Sequence, residues 1–225
     1  MNTNPLISVI LCTYNRKSLV LRAIKSVLKQ TYTNWQLIIV DDGSTDGSGK
    51  ILLPLPKNDR RIIYLHHSNK GVALSRNAGI KIALGRYISF LDSDDEYEQD
   101  HLEKRIAYLE SHKKVAAMFG GVKIVGPKKK HYVPDINRPG NKIHISKCHP
   151  AGTLVARIQC LLAVKGFRDM PYSDDYDLIT RLKKSFKIAK VNFPTYIYHV
   201  DAKDRLCDLY DDGGEERILE FRQGK

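Results

Sequence analysis

The stretch that decides the fold reads Tyr87-Ile88-Ser89-Phe90-Leu91-Asp92-Ser93-Asp94-Asp95. Its apolar first half is typical of a buried strand, and it ends abruptly in three carboxylates within four residues. In an open α/β sheet, ligands bind outside the carboxyl ends of the strands. Three acids at such an end repel one another unless a cation or hydrogen-bond donors compensate them. The stretch therefore predicts a site for Mg²⁺ or Mn²⁺, which prefer oxygen ligands, and a phosphate-bearing substrate. The alternative is a solvated loop in which Asp95 or Asp100 caps the next helix.

Strands and helices alternate four times through the first half of the chain. Apolar runs predict strands at 6–13, 35–40, 61–65 and 86–91. Helical periodicity and capping signals predict helices at 20–28, after Asp46, at 71–84 and at 102–109. This alternation is the pattern of a parallel sheet with right-handed crossovers.

The second half is less regular. We predict strands at 115–125 (broken by Gly120-Gly121), 152–156, 187–191 and 195–200, with helices at 174–184 and 215–221. The segment 126–141 is rich in Lys, Pro and Gly and predicts a mobile loop.

The composition indicates a globular protein with an anionic partner. At 225 residues, with 42% hydrophobic residues, the chain suits one domain and excludes global disorder. Its net charge of +12 favours a nucleotide, a nucleic acid or an acidic membrane surface, and charge alone does not choose among them. The cysteines lack metal-ligand spacing and fit reduced thiols in a cytosol; they are Cys12, Cys148, Cys160 and Cys207. We expect no signal peptide or spanning segment, because the apolar runs are too short.

Two further strand ends carry candidate ligand-binding residues. Asp41-Asp42-Gly43-Ser44 is a turn sequence in which one acid forms an Asx turn and the other can accept a hydrogen bond from a base or ribose. Cys12-Thr13-Tyr14-Asn15-Arg16 offers a ring to stack on a base and a guanidinium for phosphate. Taken alone, an aromatic residue at a strand end is usually a packing residue.

Two helix starts carry charges. Arg76 follows Asn69-Lys70-Gly71 on the helix before the acidic stretch, where it is either a solvated charge or a phosphate contact. The cluster Ser173-Asp174-Asp175-Tyr176-Asp177 begins a later helix. Its acids are either helix-capping residues or include a general base for a hydroxyl nucleophile.

These segments jointly resemble the signatures of family 2 glycosyltransferases, an inverting family with a GT-A fold. The opening strand (8–16), the segment Val40–Asp46, the segment Asn69–Gly79 and the Asp-x-Asp box (90–95) occur in the family's order and spacing. The resemblance covers roughly residues 5 to 200. It implies a GT-A domain at 1–200, with a nucleotide-binding half (1–92), an acceptor half (93–200) with a smaller sheet, and a charged tail (201–225).

The resemblance also implies roles for individual residues. It assigns nucleotide-sugar binding to Thr13, Tyr14, Arg16, Asp42, Arg76, Asp92 and Ser93. Within this set, Asp42 would bind the base and Tyr14 would stack beside it. The metal ligands are Asp94, the more direct one, together with Asp92 and His199, although His199 is as easily a structural histidine. The family usually has Glu-Asp where this chain has Asp174-Asp175, so the base is one of these two acids, and Asp175 matches the base position.

We therefore expect a metal-dependent inverting transferase that uses Mn²⁺ or Mg²⁺. Its donor would be a nucleoside-diphosphate sugar, with UDP as the expected nucleotide, and its acceptor a saccharide or a lipid-linked hydroxyl of a cell-surface glycan. The rivals are a sugar-1-phosphate nucleotidyltransferase, which needs a glycine-rich loop after strand one, and a catalytically idle nucleotide-binding scaffold. No nucleic-acid recognition motif accompanies the charge. We expect a cytoplasmic protein, with peripheral contact at an anionic inner membrane face as an option.

Overall fold

A computed structural model of the chain describes residues 4–223, and a seven-stranded sheet forms its centre. Its order is β11-β6-β10-β4-β1-β2-β3, and every pairing is parallel except those of β10. The mostly parallel α/β sheet is thus confirmed. The strands of the chain are β1 (Ile7–Thr13), β2 (Trp35–Asp41), β3 (Ile62–His66), β4 (Tyr87–Asp92), β5 (Glu96–Tyr97), β6 (Ala117–Phe119), β7 (Val122–Val125), β8 (Tyr132–Pro134), β9 (Lys142–His144), β10 (Val155–Arg157), β11 (Ile188–Lys190) and β12 (Tyr196–His199).

Helices cover both faces of this sheet, as its continuously apolar strands require. On one face the core takes Val20 and Ile24 from α1 and Leu102 and Ile106 from α5. The other face packs against α4, α6 and α7, whose buried side chains join a second core. The helices are α1 (Val20–Leu28), α2 (Ser48–Leu52), α3 (Leu55–Asn58), α4 (Val72–Ile82), α5 (His101–Ser111), α6 (Ile158–Ala163), α7 (Asp174–Ser185) and α8 (Leu206–Arg222).

The register of the central strands aligns the predicted site residues. Thr13 of β1 lies beside Asp41 of β2, and Cys12 lies beside Asp92 of β4. Because the strands are parallel, their carboxyl ends meet at one edge of the sheet. Backbone pairing alone therefore places the turn residues that follow β1, β2 and β4 close to one another.

The second half of the chain completes the main sheet and adds two small ones. Strands β6, β10 and β11 extend the sheet past β4, so the halves divided at residue 92 share one sheet. A three-stranded sheet has the order β5-β12-β7, and β8 pairs with β9. The smaller sheet expected on the acceptor side is therefore present.

Two predictions for this half need correction. The segment predicted as a mobile loop contains strand β8, because Val133 is buried against Ile145 and Val200 and fixes the local backbone. The strand predicted at 152–156 is confined to β10, since a turn of 3₁₀ helix occupies Ala151–Thr153.

The segment predicted as a charged tail also differs from expectation. Helix α8 begins at Leu206 and is kinked at Gly213-Gly214, where the backbone leaves the helical region. Two of its own side chains, Leu209 and Ile218, are buried. The glycine pair interrupts the helical pattern in the sequence, which is why only the part after the kink was predicted.

A buried arginine links the segments of the second half. The Arg105 guanidinium is fully buried and donates hydrogen bonds to the main-chain oxygens of Thr153 (2.9 Å), Gly120 (2.9 Å) and Phe193 (3.3 Å). Burial lowers the pKa of Arg105 to about 10.

No helix within residues 4–223 is both long enough and apolar enough to cross a bilayer.

Candidate active site

A cleft of about 340 Å³ lies at the carboxyl ends of β1, β2 and β4, between the main sheet and the β8–β9 hairpin. Every residue predicted for the site lines it: Thr13, Tyr14, Arg16, Asp42, Arg76, Asp92, Ser93, Asp94, Asp174, Asp175 and His199. The structure thus brings together residues from five separate sequence motifs and His199, while their individual roles stay predictions.

The two acids after β2 have different environments and different hydrogen-bond donors. Asp41 is fully buried and forms the predicted Asx turn, since its carboxylate accepts from the Ser44 N–H at 2.9 Å and from the Tyr64 hydroxyl at 2.8 Å. Asp42 faces the cleft and accepts from the N–H groups of Lys70 (2.7 Å) and Gly71 (2.9 Å). Each carboxylate oxygen of Asp42 can take a second donor, so a ligand can still bind there.

The end of β1 forms the neighbouring wall. The Thr13 hydroxyl oxygen is buried and has no hydrogen-bond partner among the described residues, which suits a group that meets a ligand. Arg16 donates to the main-chain oxygen of Asp204 at 2.7 Å. The Tyr14 ring meets Phe221 edge-on, with 5.7 Å between centroids.

Arg76 connects the acidic box to the start of α7. Its guanidinium donates to Asp174 at 2.7 Å and to Asp92 at 2.8 Å, and the side chain is almost completely buried. Burial by itself would lower the pKa of Arg76, but the charges of Asp174 and Asp92 outweigh it and hold that pKa well above its ordinary value. The predicted phosphate contact is therefore engaged with two carboxylates in this structure.

Within the acidic box, Asp95 is a structural acid. Its carboxylate accepts from the Tyr196 hydroxyl at 2.6 Å and from the His199 N–H at 2.8 Å, which fastens the box to β12. Burial, followed by the charges of Asp94 and Asp92, raises the pKa of Asp95 well above its ordinary value. The capping alternative is not seen, because Asp100 makes no side-chain hydrogen bond to the start of α5.

Asp94 is the box acid that remains available to a ligand. Burial in the cleft and the nearby charge of Asp92 raise its pKa, and Arg16 and Arg205 oppose that rise. Asp92 itself accepts from Arg76 and from the Tyr196 hydroxyl (3.2 Å). Asp94 is thus a half-buried carboxylate with excess negative charge beside it.

A preassembled metal cage does not exist in residues 4–223, where no three His, Cys, Asp or Glu side chains converge on one point. The Nδ1 atom of His199 is nevertheless buried without a hydrogen bond, with Asp201 at 3.5 Å, while its Nε2 is held by Glu96 at 2.8 Å. His199, Asp94 and Asp92 line the same cleft. The two carboxylates would suit Mg²⁺ or Mn²⁺, because such ions commonly bind one or two carboxylates and take other ligands from phosphate and water.

The acid pair at the start of α7 is split between two environments. Asp174 is taken up by Arg76, whereas Asp175 accepts only from the Tyr176 N–H among the described residues, at 2.7 Å. Burial and the charge of Asp174 raise the pKa of Asp175 to about 7, against the opposing charge of Arg76. The preceding Ser173 has φ of 61°, a left-handed conformation that turns the chain into the cleft before the helix begins. Asp175 is thus suited to accept a proton near neutral pH.

Four cleft or supporting residues were missed by sequence reasoning. Tyr196 holds Asp95 and Asp92, and Glu96 orients His199; the alternation of Tyr196 and Tyr198 within a short strand was the available signal. Phe221 and Arg222 enter the cleft from α8, and no local pattern distinguishes them from other residues of that helix.

Comparison with known proteins places the chain among sugar transferases. The model of "Glycosyl transferase family 2" matches residues 8–165. A putative teichuronic acid biosynthesis glycosyltransferase of Bacillus subtilis, TuaG, is 44% identical over 110 residues, which cover 48% of this chain and 43% of TuaG. The matching part of the chain thus spans less than half the length of this relative.

Solved structures share the fold at low sequence identity. TarS of S. aureus (residues 1–349, in complex with UDP-GlcNAc) superposes with a TM-score of 0.72 at 20% identity, covering 96% of this chain and 65% of that one. A mannosyltransferase of Pyrobaculum calidifontis, in complex with GDP-Man and Mn²⁺, gives a TM-score of 0.74 at 15% identity, covering 99% of this chain and 65% of that one. At these identities the likeness establishes the GT-A fold.

Proposed function

The chain belongs to glycosyl transferase family 2, and we propose that it transfers a sugar from a nucleoside-diphosphate sugar to an acceptor hydroxyl with inversion at the anomeric carbon. The observation that carries this proposal is Asp175, a carboxylate that lines the cleft, forms no ion pair with a cation of residues 4–223, and has a pKa raised to about 7. A carboxylate whose pKa is raised toward neutral pH is a stronger base than an ordinary one and can assist a hydroxyl nucleophile.

The proposed chemistry is a single displacement. Asp175 accepts the proton of the acceptor hydroxyl while its oxygen attacks the anomeric carbon from the face opposite the diphosphate. Asp174, bound to Arg76, stays in place and keeps the pKa of Asp175 raised. The step forms one C–O bond, breaks the bond to the diphosphate, and leaves the proton on Asp175.

The leaving diphosphate needs positive charge. Arg16 lines the cleft and, among the described residues, makes no ion pair, so it is one source of that charge. We assign Asp94 as the residue that would hold Mn²⁺ or Mg²⁺, with Asp92 and His199 lining the same cleft. A bound divalent ion would neutralise the charge that develops on the leaving group.

The donor and the product class follow from the cleft and the relatives. Asp42 suits the ring N–H of uracil, and one structural neighbour binds UDP-GlcNAc, so we propose a UDP-sugar as donor. TuaG is named for teichuronic acid biosynthesis, which supports a role in cell-surface polysaccharide synthesis. A nucleotidyltransferase is disfavoured, because the turn after β1 lacks the glycines that would cradle a triphosphate.

The acceptor would be a saccharide or a lipid-linked glycan, and the second of these would bring the protein to an anionic membrane face. The exposed Lys128 and Lys129 lie on a 3₁₀ turn beside the cleft hairpin, while Lys130 is paired with Asp208 at 3.3 Å. Each free lysine near an anionic surface contributes about 1 kcal/mol. Co-sedimentation with phosphatidylserine-containing vesicles should fall with added salt and on replacement of Lys128 and Lys129 by Ala, whereas vesicles that bring down no protein at low salt would remove this part of the proposal.

The proposed function is tested by screening nucleotide sugars by thermal shift in the presence of Mn²⁺. A donor that binds only the folded protein raises the unfolding temperature by mass action. We expect UDP-sugars to give the largest shift, and the best donor to support transfer to a simple sugar acceptor with an inverted anomeric product seen by NMR. A protein that binds no nucleotide sugar would refute the proposal.

A further inference from the structure

The end of helix α8 reaches the nucleotide corner of the cleft. Phe221 packs edge-on against Tyr14, and the Arg222 side chain covers Gly71 so closely that a Cβ built there would lie 2.4 Å from the guanidinium carbon. The Gly71 N–H in turn donates to Asp42 at 2.9 Å. Arg222 therefore lies in the same corner as the carboxylate expected to read the base.

Arg222, like Arg16, lacks an acidic partner among the described residues, whereas two other arginines of the cleft are paired. Arg76 is bound by Asp92 and Asp174, and Arg205 is paired with Asp208 at 2.5 Å. Among the described residues, Arg222 forms no ion pair, and its Nη2 is buried without a hydrogen-bond partner. An unsatisfied buried guanidinium nitrogen is unfavourable, so this atom suits an acceptor supplied by a ligand.

Asp42 and Arg222 offer opposite hydrogen-bonding groups on either side of Gly71. An ionised carboxylate only accepts, and a guanidinium only donates. A ring N–H next to a carbonyl oxygen, as in uracil, thymine and guanine, matches that pair. Cytosine and adenine present an unprotonated ring nitrogen at that edge, so their lone pair would face the carboxylate.

We propose that the last turn of α8 completes the nucleobase pocket, and that Arg222, together with Asp42, selects bases that carry an N–H beside a carbonyl. Phe221 extends the aromatic wall formed by Tyr14. This inference rests on the proposed function, because it assumes that the cleft binds a nucleotide donor, and it adds two recognition residues to that site.

The kink in α8 makes this placement possible. Gly214 has φ of 64° and ψ of −150°, a region that essentially only glycine occupies. The part of α8 before the kink is held to the rest of the chain by Lys142–Asp211 (2.6 Å) and by the stacking of Tyr210 on Tyr172 (centroids 4.1 Å apart). The kink then redirects the second part so that its end meets Tyr14.

The test is titration calorimetry of the full chain with UDP, GDP, CDP and ADP in Mn²⁺. Arg222→Ala should weaken UDP binding roughly tenfold, because a hydrogen bond to a charged group is lost, and should leave CDP binding unchanged. The matched control is Arg217→Ala on the same helix, since the Arg217 side chain is partly exposed and, among the described residues, pairs with Glu220. Gly214→Ala is a second variant: it keeps both recognition side chains but strains the kink, and it should also weaken UDP binding.

Unfolding curves that superpose for the wild type, Arg222→Ala and Arg217→Ala establish that these variants are folded, and a cooperative unfolding transition establishes the same for the strained Gly214→Ala. Equal UDP affinity in the wild type and Arg222→Ala overturns the inference and leaves the proposed function standing. Tighter UDP binding in Arg222→Ala also overturns it, and would show that the end of α8 obstructs the pocket. A wild-type protein that binds none of the four nucleotides overturns the inference and the proposed function together.

Discussion

The cleft contains two acidic clusters, the box after β4 and the pair at the start of α7, and they are neutralised differently. In the α7 pair, Asp174 accepts a hydrogen bond from Arg76, which also donates to Asp92 of the box, and burial raises the pKa of Asp175 to about 7. In the box, Asp95 is held by neutral donors, the Tyr196 hydroxyl and a backbone N–H. The two clusters thus share one cation, Arg76, and the remaining acids of the box, Asp94 and Asp95, form no ion pair among the described residues. We therefore expect the α7 pair to exchange a proton and the box to receive a cation, and the following measurements test this expectation.

The strongest test of this comparison is the replacement Asp175→Asn, which keeps the shape of the side chain and removes the proton acceptor. General-base catalysis typically contributes about 10²–10⁴-fold, so turnover should fall by that factor in steady-state assays. Nucleotide binding should survive, because the residue is assigned to the acceptor side. Asp174→Asn should cost much less, and Asp177→Asn, on the same helix but paired with Arg181, serves as control. The reverse ranking of Asp174 and Asp175 would assign the base to Asp174.

The replacement Tyr196→Phe tests whether uncharged hydrogen-bond donors hold the acidic box in place. The change removes the hydroxyl that donates to Asp95 and Asp92, so the free energy of unfolding in urea should fall by about 1–3 kcal/mol. Tyr132→Phe is the matched control, since its ring is 53% exposed. Equal losses in both variants would mean that the Tyr196 hydroxyl does not hold the box.

The cation requirement of the box is tested through nucleotide affinity. UDP should bind about tenfold more weakly in excess chelator than in Mn²⁺, because the acids of the box and the diphosphate carry the same sign. Asp94→Ala should remove this difference, whereas Asp100→Ala, outside the cleft, should preserve it. Identical affinities with and without Mn²⁺ in the wild type would contradict the metal assignment.

The smallest expected effect is a displaced pH profile. Because Asp175 must be deprotonated to act, kcat/KM should rise with pH through about 7 and be lost on acidification below it. The charge of Asp174 raises the pKa of Asp175, so Asp174→Asn should move this acid limb to lower pH. If the acidic limb of the kcat/KM profile stayed at the same pH or moved to higher pH in Asp174→Asn, the titrating group would not be Asp175.

The fold of the first half was predictable from sequence because its signals are local. Strands β1, β2 and β4 are continuous apolar runs that end in turn residues, and α1 carries one apolar stripe. Strand β5 was missed, since two residues pairing with the distant β12 leave no periodic pattern. In the second half, long-range pairing determines most of the structure.

The sequence predicted which residues form the candidate site, but not how those residues contact one another. Strand order brings the predicted residues to one edge, so spacing and residue type sufficed to name them. Which acid Arg76 meets depends on the approach of α7 to α4, and the arrival of Phe221 and Arg222 depends on a glycine kink in α8. Neither geometry is encoded within a short window of sequence.

Arg105 has a consequence for the order in which the molecule assembles. Its three carbonyl partners, at Gly120, Thr153 and Phe193, follow the arginine by 15, 48 and 88 residues. A guanidinium buried before they arrive would lack acceptors, and the cost of desolvating it would keep α5 from docking. Full burial of Arg105 therefore requires that the segment carrying Phe193, 88 residues further along the chain, is in place.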